Sequence, residues 1–126
     1  MADKIRSVLV REMLYDLAYR LRLADDLFVQ AAESLASASV LEEWESRSEA
    51  CRRIRAYARA LRIIDCDLSH TVEGRVVVFP AEIEAWNFGE PGGCELARQL
   101  LSRLHTVARG MEFAVERELL RLEVKA

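Results

Sequence analysis

The chain has 126 residues, of which 52% are hydrophobic and 31% charged, and its net charge is −3. That length and composition fit one folded domain spanning 1–126 and exclude a disordered chain or one that needs staples to hold a core. The mild acidity excludes a global attraction to nucleic acid or anionic membranes, and three cysteines (Cys51, Cys66, Cys94) with no CxxC exclude a disulfide framework and a zinc knuckle.

Sixteen of the 18 basic residues are Arg, the exceptions being Lys4 and Lys125. They are dispersed and matched by acids, which reads as genome-wide codon bias. Arg11 and Glu12 interrupt the apolar stretch that follows Lys4 and Arg6, too early for a signal peptide. No apolar run approaches the ~20 residues of a membrane span. A cytoplasmic protein that does not enter membranes is expected.

Residues 4–36 read as the first helix. Val10, Met13, Leu17, Leu21, Ala24, Phe28, Ala31 and Leu35 recur in steps of three and four, which holds them on one helical face. A second apolar stripe, Ile5, Val8, Tyr15, Tyr19 and Leu23, lies roughly opposite. A surface helix of a monomer needs one such stripe. Two require cover on both sides, either from this chain's own loops or from a second molecule.

Ser37 to Ser39 break the pattern, and Ser39 with Glu42 fits a capping box. The second helix is expected over about 40–68. Val40, Trp44, Cys51, Ile54, Ala58, Leu61 and Leu68 form its apolar face, with Tyr57 and Ile64 beside it. Acids at Glu42, Glu43 and Glu45 precede Arg52, Arg53, Arg55, Arg59 and Arg62, an order that complements the helix dipole.

Residues 69–93 change character. Glu73-Gly74 followed by Arg75-Val76-Val77-Val78-Phe79 suggests a small hairpin. Pro80 suits the start of a short helix, Ala81 to Trp86, and Gly89-Glu90-Pro91-Gly92-Gly93 is a breaker. The third helix is expected over about 94–123. Its face is Leu96, Leu100, Leu104, Val107, Met111, Val115 and Leu122, with Ala97, Leu101, Ala108 and Leu119 alongside. Gly110 inside it points to close packing. Phe113, Leu120 and Val124 form a strip on the other side. The expected fold is therefore all-α: a bundle of three long amphipathic helices, antiparallel neighbours, with a short hairpin or loop excursion before the last.

The chemistry on offer is sparse. There are two histidines, His70 and His105, and no P-loop, dinucleotide glycine fingerprint, nucleophile elbow or HExxH. No cofactor or metal is expected. Asp65, Asp67 and His70 offer half of a metal site, but no second carboxylate-x-x-His copy completes it. Arg52, Arg55, Arg59 and Arg62 share one side of their helix and could grip a phosphate backbone or pair with acids.

Two short resemblances arise. Arg98, followed after six residues by His105, with Gln99 next to the Arg, resembles the motif of HEPN-type ribonucleases. It implies an Arg that steadies phosphate and a His that works on the 2′-hydroxyl or leaving oxygen. His70-Thr71-Val72-Glu73-Gly74 is similar to the phosphoacceptor segment of histidine phosphotransfer domains. Those domains carry Lys where Glu73 stands, and there the helix continues.

A non-catalytic interaction or adaptor module, a homodimer, is the reading preferred from sequence. Ile5, Val8, Tyr15, Tyr19, Leu23, Phe113 and Leu120 are its expected contact residues. Another protein partner is allowed for and nucleic acid is not expected. The rivals are the Arg98/His105 ribonuclease and a nucleic-acid-binding regulator that uses the Arg52–Arg62 face.

Overall fold

The computed structural model describes residues 2–41, 43–72 and 93–125, and all of them except Glu43 and Val72 lie in three helices. These are α1 (Ala2–Leu41), α2 (Trp44–Thr71) and α3 (Gly93–Lys125), which measure about 60, 42 and 50 Å at 1.5 Å per residue. The three pack against one another as an all-α bundle. The expected hairpin and the short helix Ala81 to Trp86 lie outside the described residues.

The seams explain why these segments are helices. In α1 the inward positions are Leu14, Leu17, Leu21, Ala24, Phe28, Ala31, Leu35 and Ala38, alternating steps of three and four from 14 to 38. In α2 they are Ala50, Ile54, Tyr57, Leu61, Ile64 and Leu68, on the same alternation. This is the 3.5-residue spacing that keeps a stripe facing its partner in coiled-coil packing. The α3 stripe is wider, because Leu101, Ala108 and Val115 are buried beside Ala97, Leu100, Leu104 and Met111. Ala24, Ala31 and Ala38 fill alternate layers of α1, and such small side chains let a neighbouring helix approach closely.

α1 is the central element. Arg20 of α1 donates through both terminal nitrogens to Oδ2 of Asp67 at 2.6 and 2.5 Å, and Gln30 accepts from Arg53 at 2.9 Å. These two links run α2 antiparallel to α1. The Phe28 ring lies against Tyr57 of α2 and His105 of α3 at one level, while Leu122 reaches the first turns of α1. So α3 is also antiparallel to α1, and α2 and α3 run in the same direction. The end of α2 and the start of α3 therefore lie at opposite ends of the bundle.

Several sequence expectations are corrected. α1 does not stop at Ser37 to Ser39 but runs to Leu41. Ala38 is fully buried, and the Ser39 hydroxyl donates back to the Leu35 carbonyl at 2.9 Å, so the last turn is held by packing and its own backbone. Ser39 thus lies inside α1 and does not cap α2, while its expected capping-box partner Glu42 lies outside the described residues. The N-cap of α2 is Glu43, in extended conformation with no side-chain cap bond. Val40 and Trp44, assigned to the α2 core face, are exposed, Trp44 at 73%. Leu14 rather than Met13 sits in the α1 seam, and Leu96 lies at the surface of α3. Gly110 is not a close-packing site: a Cβ added there meets nothing within 4 Å.

Candidate interaction surface

The outer face of α1 follows from the same arithmetic as its seam. With Leu14, Leu21, Phe28 and Leu35 turned inward, the positions farthest from the core are 5, 8, 12, 15, 19, 22, 26 and 29, again in steps of three and four. They carry Ile5, Val8, Glu12, Tyr15, Tyr19, Arg22, Asp26 and Val29, all exposed. Tyr15 is 48% and Tyr19 56% accessible, values far outside those of a packed aromatic. Leu9 and Leu23 flank the row and are exposed too.

Two surface hollows adjoin this row. One, about 610 Å³, is lined by Ile5, Val8, Leu9 and Arg11 of α1 and Leu122 of α3. The other, about 390 Å³, lies between α1 and α2, where Leu23 and Leu27 face Ala60, Ile63 and Ile64. The first hollow also takes in Asp3, Lys4 and Ser7, and the row itself carries Glu12, Arg22 and Asp26, so the outer face is a long water-facing strip of large apolar side chains interspersed with charges.

All seven contact residues expected from sequence are exposed, but they do not form one patch. Ile5, Val8, Tyr15, Tyr19 and Leu23 belong to the α1 outer face. Phe113 and Leu120 lie on the side of α3 turned away from its seam with α1, and so on another side of the bundle.

The interior holds a polar cluster that sequence reading missed. Tyr57 of α2 is fully buried, and its hydroxyl has no hydrogen-bond partner among the described residues. Burial raises its pKa first, and the nearby carboxylates of Asp25 and Glu112 raise it further. Glu112 is raised in turn, mainly by burial and then by Asp25, with Arg109 and His105 opposing. Each helix thus contributes one polar group to the electrostatics of this level of the bundle.

Because its folded-state pKa is raised, Glu112 contributes stability below the usual carboxylate range and loses it as pH rises through the folded value. Glu112→Gln keeps the site neutral at every pH. It should raise the thermal midpoint at pH 7 and leave it unchanged at about pH 4, near the ordinary Glu value. Thermal melts of both proteins at the two pH values check this. A lower midpoint for the variant at pH 7 would contradict it.

Arg98 is exposed and bonded to Glu95 at 2.6 Å. His105 is half-buried, its ring stacked on Phe28 at 4.0 Å and 10°. Asp67 is occupied by Arg20, and His70 is exposed with its Nε2 3.9 Å from Cys66 Sγ. No group of three metal-ligating side chains occurs among the described residues. α2 ends at Thr71, with Val72 extended, where the phosphotransfer resemblance requires the helix to continue. In the basic run, Arg52, Arg55, Arg59 and Arg62 face outward, while Arg53 turns to Glu49 and Gln30. Arg55 and Arg62 are engaged by other groups. The bond from Arg53 holds the Glu49 carboxyl below the usual range.

No family model, curated protein or solved structure matches this chain.

Proposed function

We propose that this protein is a non-catalytic interaction module that works as a homodimer, with the outer face of α1 buried against a second copy. The observation that carries the reading is the exposure of Tyr15 and Tyr19 in the middle of the outer row of α1, the helix that packs most extensively against the other two. Aromatic side chains in such a setting are the usual anchors of an interface, and so many large apolar side chains exposed along one helix face are uncommon on a monomer. Pairing two α1 helices back to back leaves α2 and α3 of each copy outside, a six-helix assembly with a continuous centre.

A reducing, cytoplasmic setting suits the chain, since Cys51, Cys66 and Cys94 are all free. No helix among the described residues is long and apolar enough to cross a membrane.

Light scattering after gel filtration tests the reading. At tens of micromolar the native chain should weigh twice its 14.4 kDa. A monomer at that concentration overturns the proposal.

A further inference from the structure

We infer that the two copies pair their α1 helices antiparallel, in one register centred on Leu17, and that Glu12 and Arg22 select it. This rests on the dimer reading above and assigns its geometry.

The outer row of α1 carries two ionic side chains near its middle, Glu12 and Arg22, five residues to either side of Leu17. Both are exposed. Neither forms an ion pair or hydrogen bond among the described residues, although other Arg residues of the bundle, such as Arg20, Arg53, Arg98 and Arg121, do. Two opposite charges left unpaired on either side of the central tyrosines, with Asp26 the third charge of the row nearer one end, are the kind of feature that fixes register and orientation when the strip is covered.

The outer positions can be matched in few ways, because a two-fold antiparallel pair must keep both rows facing each other. With the axis at Leu17, Tyr15 meets the second copy's Tyr19, Glu12 meets Arg22, and Ile5 meets Val29. The symmetry repeats every one of these pairs. A four-tyrosine centre is then flanked by two ion pairs and closed at each end by aliphatic contacts. The one unlike match is Val8 with Asp26.

The alternatives match worse. A parallel, in-register pair sets Glu12 against Glu12 and Arg22 against Arg22, which repel. Sliding the antiparallel pair by seven residues sets Glu12 against Tyr15 or Val29, and Arg22 against Ile5 or Tyr19. Both charges then lie against apolar or aromatic groups with no counter-charge.

Charge reversal with mixing tests the register. Glu12→Arg alone and Arg22→Glu alone each place like charges at both symmetric positions. Each single variant should dimerise about tenfold or more weakly than the native chain at low salt. Mixing the two single variants brings opposite charges together at both positions, so the heterodimer should form more tightly than either homodimer. Sedimentation velocity with one variant fluorescently labelled reads this directly. Recovery on mixing also shows that the single variants are folded. Single variants that dimerise like the native chain, or that stay monomeric when mixed, overturn the register while a native dimer stands. A native chain that is monomeric removes the dimer reading itself.

Discussion

The double variant Tyr15→Asp with Tyr19→Asp is expected to run as a 14.4 kDa monomer where the native chain runs at twice that mass. Both side chains stand on the outer face of α1, half exposed. In the two-fold pairing they form the centre of the contact, so the variant puts four carboxylates where four aromatic rings were. Loss of the central aromatics removes the residues that dominate interface energies, and like charges at short range oppose association. The dissociation constant should rise by at least about a hundredfold. Because the positions are exposed in the single chain, helicity should persist and dilute-solution stability should change by less than about 1 kcal/mol. A variant with the native mass at every concentration would contradict the account. Lost helicity would mean that the outer face is covered by the chain itself.

Leu21→Ala is expected to cost about 2–5 kcal/mol of stability. Leu21 is 1% exposed, in the middle of the α1 seam, one layer from Ala24. Removing its branched end opens a void between packed helices. Against a total of about 5–15 kcal/mol, a loss of that size is a large fraction of the margin. Urea unfolding followed by circular dichroism measures it. Native and variant must be compared at one protein concentration, because dimer formation adds to apparent stability. A change below about 1 kcal/mol would mean that Leu21 is not packed as described.

The helices themselves were legible in the sequence. Steps of three and four run through each of them, and the absence of Pro, with Gly110 the one Gly interior to a helix, left little room for another reading. Their ends were less legible. Ala-Ser-Ala-Ser looks like a stop because serine competes for backbone hydrogen bonds, yet the burial of Ala38 overrides that local preference. The seam phase was misread at Met13 because Met13 and Leu14 are adjacent and both apolar. Only the seven-residue interval from Leu14 to Leu21 to Phe28 to Leu35 separates them. Trp44 was assigned inward on hydrophobicity alone, which is a poor guide at the first residue of a helix.

The site divides in the same way. Tyr15, Tyr19 and Leu23 were legible as a second face because amphipathicity is local information. The separation of Phe113 and Leu120 from that face depends on how α3 docks on α1, which no local pattern encodes. The mid-bundle cluster was invisible for a similar reason. Asp25, Tyr57 and Glu112 come from three helices, and Tyr57 read as an ordinary flank of its apolar stripe. The parallel run of α2 and α3 was equally hidden, since a 20-residue stretch between Val72 and Gly93 allows either direction.

The most direct measurement for the α1 outer face is hydroxyl-radical footprinting of the native chain from nanomolar to tens of micromolar concentration. The chain carries three tyrosines, Tyr15, Tyr19 and Tyr57. Tyr57, fully buried, should be unreactive throughout, and Phe113, exposed on α3, should be reactive throughout. Tyr15 and Tyr19 should react freely when dilute and become protected together as concentration rises. Equal reactivity of Tyr15 and Tyr19 at every concentration would contradict the proposal that a second copy covers them.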